Sequence, residues 1–195
     1  RLVLPDDSEW VELRIAGRHQ AENLLAAAAA ASVFGVRAGQ MKETAAALRA
    51  EAHRGRILEV AGEITVVDDS YNASPLAVRR LLEMLRNAPG RRIAVLGEMY
   101  ELGELSARAH DDVGRHAATT CDLLVAVGGA DAARTAAAAR DAGLHESAVH
   151  HVIDAEEAAS LLSRLLRAGD VVLVKGSRSV GLDRTVTAIA GEEAA

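Results

Sequence analysis

The chain is 195 residues long, half of them apolar and only 2% aromatic, so a core can form but must be built from Ala, Val, Leu and Ile. Its 28 acidic and 22 basic residues give a formal charge of −6, which argues against a general nucleic-acid or membrane-surface role but leaves room for a local anion site. The single Cys121 excludes an internal disulfide and fits a reducing compartment, the cytoplasm. No apolar run approaches a membrane span, and no signal peptide is visible. A start at Arg1 in a polar stretch reads as a fragment or a processed piece.

The alternation of residues 10 to 15 predicts a half-buried strand, and Gly17 a turn. An Ala-rich helix is expected over 19 to 34, ended by Gly35, and a second over 40 to 52. The Ala26–Ala31 run reads as small residues allowing close packing. These two helices have too few partners to bury themselves, which suggests the tail of a larger domain. From Ile57 the rhythm changes. Apolar runs "ITVV", "RIAVL", "LLVAV", "VHHVI" and "VVLV" precede helices expected over 75 to 87, 106 to 119, 129 to 142, 155 to 167 and 183 to 190. Strands alternating with helices mean βαβ units, so the fold class is α/β: a Rossmann-like, open, mostly parallel sheet with helices on both faces.

Ligands of such sheets bind beyond the carboxyl ends of the strands. Four of those ends read "DDSYN", "GEMYELG", "GGAD" and "KGSRS". Each alone is ordinary turn chemistry; together they favour a site. Glycines there would let backbone N–H groups approach a ligand. No strand is followed by G-x-G-x-x-G, which makes a dinucleotide cofactor a poor fit, and no G-x-x-x-x-G-K-[ST] phosphate loop is present. His150 and His151 are adjacent and would face opposite sides of a strand, so they read as structural. No Ser, His and Asp order suggests a hydrolase.

The segments "VVDDSYNASP", "IAVLGEMYELG" with His110 after it, "VLVKGSRSVGLDR" and the earlier "GRHQAENLLAAAAAA" resemble the Mur ligases, over nearly the whole chain. The resemblance implies a three-domain, ATP-dependent amide ligase, monomeric and cytoplasmic. It would activate the carboxylate of a UDP-N-acetylmuramoyl tripeptide as an acyl phosphate and join it to D-alanyl-D-alanine. Residues 1–55 would be the last part of a central ATP-binding domain, and 56–195 the C-terminal Rossmann-like domain that closes over the nucleotide. The phosphate loop and the Mg²⁺ ligands would precede Arg1, so this chain alone should be inactive.

By the same resemblance, His19 and Asn23 lie at the adenine and Arg56 near the nucleotide phosphates. Asp69 binds the ribose hydroxyls. Asn72, Lys175, Gly176 and Ser177 lie near the acceptor dipeptide, with Arg56 and Lys175 as the catalytic candidates. Gln20 and Ser74 depart from the family pattern. Asp68, Tyr71 and His110 have structural readings: a partner for backbone N–H groups, packing on the next helix, and a helix-face hydrogen bond. Glu98 and Glu101 read as caps of the segment that follows. Two alternatives stand beside this one: another amide ligase of the superfamily, adding a different amino acid or a glutamate tail, and a free-standing module that binds a nucleotide or a protein partner.

Overall fold

The computed structural model describes residues 1–5, 7–13, 18–48 and 52–191, without the side chains of Arg18 and His19. The chain divides into two compact units, Arg1–Glu51 and Ala52–Ala195. In the first, β1 (Leu2–Leu4) pairs antiparallel with β2 (Asp7–Glu9), and two helices follow, α1 (Arg18–Val33) and α2 (Ala38–Ala47). The strand expected over 10 to 15 is not found in residues 10 to 13, which are irregular; residues 14 and 15, and the turn at Gly17, lie outside the described residues. The small core of this unit is Leu2, Ala28, Ala38 and Met41. Of the Ala26–Ala31 run only Ala28 is buried, so its small side chains mostly face outward. The second helix closes after Ala47, where Leu48 has an extended backbone and its N–H caps the last turn; residues 49–51 of the expected helix lie outside the described residues, and Ala52 is in a turn.

The second unit is a six-stranded sheet in the order β3-β4-β8-β5-β6-β7. Its strands are β3 (Arg56–Val60), β4 (Ile64–Asp69), β5 (Arg92–Gly97), β6 (Leu123–Val127), β7 (Val149–Val152) and β8 (Val171–Lys175). All run parallel except β3, which pairs antiparallel with β4 through the turn around Gly62. The helices are α3 (Pro75–Arg86), α4 (Ser106–Ala117), α5 (Ala130–Asp141), α6 (Ala155–Leu165) and α7 (Leu182–Ala190).

The inner strands are apolar without alternation because both faces are covered. On one face Ala94, Leu96, Leu124, Ala126 and Leu173 meet Leu82, Val113 and Ala136 of α3, α4 and α5. On the other, Ile93, Val95, Val125, Val172 and Val174 meet Leu162 and Val186 of α6 and α7. At the amino-terminal edge of the sheet Arg91 donates to both carboxylate oxygens of Asp170, at 2.9 and 2.7 Å, and to the Leu165 carbonyl at 2.6 Å. That fork fixes the entry to β5 against the entry to β8.

Two packing details can be tested. Gly114 lies where α4 crosses α5, and a Cβ there would stand 2.3 Å from the Thr135 carbonyl oxygen. Helix propensity alone favours Gly114→Ala by about 1 kcal/mol. Overpacking against backbone costs about 1–3 kcal/mol and should win. The expected outcome is a lower urea midpoint for Gly114→Ala. Cys121 is buried, and desolvation pushes its thiol up to about 12. Native protein should therefore react with a thiol reagent only as it unfolds. The folded state holds this proton more tightly than the unfolded one, so stability should fall as pH rises above about 9, through the unfolded thiol's titration. A urea series between pH 8 and 10, compared with Cys121→Ala, measures that slope.

Candidate active site

Because β4, β8, β5 and β6 are neighbours and parallel, their carboxyl ends form one continuous edge. The four polar segments lie there side by side. The opening turn is built by two carboxylates with different duties. Asp68 is buried. Its Oδ1 accepts from the Ser70 N–H at 3.1 Å and the Ser70 hydroxyl at 2.7 Å, and its Oδ2 lies 2.9 Å from His53 Nδ1. It therefore shapes the turn, as its structural reading held. Asp69, the next residue along the strand, points the other way and pairs with the Lys175 ammonium. The same ammonium donates to the Asn72 carbonyl at 2.7 Å. Lys175 is 3% exposed, so a buried cation at the end of β8 holds the turn after β4. Asp69 keeps some solvent contact, and the hydrogen bond to Lys175 uses Oδ2.

Asn72 is exposed, with its Oδ1 accepting from the Ala73 N–H at 2.8 Å. Pro75 then opens α3 at its first turn, where its missing N–H leaves no orphan donor. Tyr71 is only partly covered. Its half-exposed ring lies under the Arg54 guanidinium, 3.8 Å from the centroid, with Arg178 at 5.6 Å. Arg56 stands on β3 opposite Asp68.

The ends of β8 and β5 are spliced together. The Ser177 N–H donates to the Glu98 carbonyl at 3.0 Å, and the Ser177 hydroxyl accepts from the Tyr100 N–H at 2.9 Å. The glycines Gly97 and Gly176 permit this approach: a Cβ on Gly176 would lie 2.8 Å from Leu182 Cδ1 and 3.1 Å from Gly97 Cα. His110 is buried and fixes the same loop from below. Its Nε2 accepts from the Met99 N–H at 3.0 Å and its Nδ1 donates to the Ser106 carbonyl at 2.9 Å. This is more than a bond along its own helix face, since it ties α4 to the end of β5.

Glu98 caps a helix, but not the one that follows it. Its Oε1 accepts from the Asp131 and Ala132 N–H groups, at 3.1 and 3.3 Å, at the start of α5. Its Oε2 accepts from the Tyr100 hydroxyl at 3.0 Å. The first glycine of "GGAD" makes room for this protein carboxylate. Gly128 has φ +135°, and a Cβ there would be 2.7 Å from Glu98 Cδ. Burial, then the bond to Glu98, raises the Tyr100 phenol above its ordinary pKa, so it remains a proton donor. Glu101 holds a left-handed backbone, φ 64°, in this loop. His151 bonds the Gly128 carbonyl at 2.8 Å, a structural use, and His150 titrates low because it is partly desolvated.

In the other unit Asn23 is exposed on α1 and donates to Gln20 Oε1 at 3.2 Å; the side chain of His19 lies outside the described residues. Among the described residues no group of three His, Cys, Asp or Glu side chains is placed to hold a metal ion.

Residues 53–178 match the family model described as "Mur ligase, glutamate ligase domain". The chain belongs to the Mur ligase family. It is 37% identical to the UDP-N-acetylmuramoyl-tripeptide–D-alanyl-D-alanine ligase of Mycobacterium leprae, over 94% of this chain and 39% of that protein. It is 34% identical to the Escherichia coli ligase of the same name, over 96% of this chain and 40% of that one. Among solved structures, a MurF crystal structure from Acinetobacter baumannii superposes with a TM-score of 0.83 at 28% identity, covering 95% of this chain and 41% of that chain. The Thermotoga maritima MurF ligase in complex with ADP gives 0.75 at 28% identity, covering 92% and 40%. The chain thus spans about two fifths of the length of these relatives.

The buried Lys175 makes the first test of this Mur ligase edge. Lys175→Met leaves the Asp69 carboxylate and the Asn72 carbonyl without their donor. Breaking such a pair should lower stability by about 3 kcal/mol. Adding Asp69→Asn removes the uncompensated charge and should recover part of the loss, a coupling that urea titration of the single and double variants reads directly.

Proposed function

We propose that this chain is the C-terminal portion of an ATP-dependent ligase that joins D-alanyl-D-alanine to UDP-N-acetylmuramoyl tripeptide through an acyl phosphate, in peptidoglycan precursor synthesis. The observation that carries the reading is the set of four polar strand ends on one edge, in a chain whose matched relatives bear that ligase's name. Residues 1–55 are the end of the ATP-binding domain and 56–195 the C-terminal domain. The whole enzyme is a cytoplasmic monomer. No helix among the described residues is long and apolar enough to cross a membrane.

Within this reading Asp69 binds the ribose hydroxyls. Its carboxylate suits that task because the bond to Lys175 uses Oδ2, and the side chain keeps contact with solvent. Asn23 and His19 serve the adenine. An amide such as Asn23 can both donate and accept along a base edge. Arg56 serves the phosphates with a permanent cation. Asn72, Gly176 and Ser177 border the acceptor dipeptide. Lys175, a catalytic candidate with Arg56, borders the dipeptide as well, and its ammonium holds Asp69 and the Asn72 turn in place. The magnesium ion would be held by residues outside this chain, where it would neutralise charge on the nucleotide phosphates. Transfer of the γ-phosphoryl group needs a phosphate cradle that this chain does not carry in its sequence, so the chain alone releases no phosphate from ATP.

The test uses the complete ligase carrying this segment, with Asp69→Asn, which preserves an oxygen for Lys175. Charge-assisted bonds contribute about 1.5–3 kcal/mol, so the KM for ATP should rise roughly 10- to 100-fold. Asp68→Ala is the control: it should lower the melting temperature and leave the ATP constant unchanged. An Asp69→Asn enzyme with normal ATP kinetics would remove the ribose assignment. A complete enzyme that forms no amide from the two substrates would overturn the function itself.

A further inference from the structure

One cluster at this edge is not used by the nucleotide reading. Arg178 follows Ser177 directly, so its backbone is set by the Ser177 bonds to Glu98 and Tyr100. The turn is closed by the Gly181 N–H on the Arg178 carbonyl at 3.1 Å. Its side chain is mostly exposed. Its nearest carboxylate, Asp183, is 3.7 Å away, beyond hydrogen-bond distance, so that contact leaves the guanidinium donors available. Arg178 also shares the Tyr71 ring with the Arg54 guanidinium. The ring thus has Arg178 on its outer side, within cation–π reach and open to solvent. A guanidinium fork matches an oxyanion with two parallel bonds.

The oxyanion could come from a peptide carboxylate or from a nucleotide phosphate. The surroundings favour the carboxylate. The next strand end presents Glu98 under the Tyr100 hydroxyl, with Asp131 beside them, since both carboxylates act on that phenol. A phosphate chain brought to Arg178 would meet this negative charge. A dipeptide would instead turn its amine toward it. We propose that Arg178 takes the free carboxylate of the dipeptide acceptor and so sets the enzyme's requirement for a free C-terminus. This rests on the ligase reading above.

The experiment compares two acceptors in the complete ligase: D-alanyl-D-alanine and its C-terminal amide, which lacks the carboxylate. Wild-type enzyme should prefer the free acid. Arg178→Ala should lower kcat/KM for the free acid by about 10- to 100-fold, as expected for a lost charged bond, and leave the amide within about threefold of wild type. Arg178→Lys should recover part of the loss, and the melting temperature and the KM for ATP should not move. Equal losses on both acceptors would overturn the assignment. So would a rise in the KM for ATP with acceptor kinetics intact, which would give Arg178 to the phosphates. A wild-type enzyme that uses the dipeptide beside an indifferent Arg178→Ala sinks this proposal alone. A wild-type enzyme that uses neither acceptor sinks the ligase reading together with it.

Discussion

A buried ammonium holds the polar edge of the sheet together. Lys175 ends the central strand β8 and reaches sideways to Asp69 and to the carbonyl of Asn72. Placing a charge in an almost fully buried position is costly unless it is paired and hydrogen-bonded. Both conditions are met, by groups from one neighbouring turn. The turn after β4 therefore takes its position from β8 and not only from its own sequence. Every candidate residue in that turn inherits this constraint: Asp69 is aimed by it, Asn72 is anchored by its carbonyl, and Tyr71 lies between two fixed points.

The other side of the edge is organised by the opposite charge. Glu98 lies against the first N–H groups of α5, where a helix favours an anion. An open site of that kind commonly takes a phosphate; here a carboxylate of the protein occupies it. The edge is consequently ordered by sign, with guanidinium groups around Tyr71 and carboxylates around Tyr100. Ser177 and His110 lock the loops that carry these groups. The geometry is fixed by short bonds between strand ends, which suits the proposed ligase, where two reactants must be oriented.

The sheet and its helices were legible from sequence because the strands are continuous apolar runs and α3, α4, α6 and α7 have clear apolar faces. The first unit was legible only in its helices. Its hairpin strands are three residues each, and "DSE" carries no apolar period to read. The antiparallel β3 was also hidden, since direction is decided by the Gly62 turn and not by the strand's own residues. At the site, the residue types pointed to strand ends that the fold brings to one edge, but their partners did not follow from them. Glu98 and Asp131 are 33 positions apart, and Lys175 and Asn72 103 apart. Only the strand order brings them together. Arg178 carried one available signal, its place immediately after "KGS"; Arg54 carried none.

The distribution of aromatic residues has an optical consequence. The chain has one Trp, one Phe and two Tyr, and Trp10 and Phe34 both belong to the first unit. The second unit therefore holds just Tyr71 and Tyr100, one beneath the guanidinium groups and one hydrogen-bonded to Glu98. Its core clusters contain no Trp, Phe or Tyr and so add nothing in the near ultraviolet. Tyrosine absorbance and emission from this unit thus originate at the candidate site alone, and Trp10 emits separately at longer wavelength. The molecule contains its own chromophores at the place where chemistry is expected, so that events at the edge can be followed by light without attaching a label.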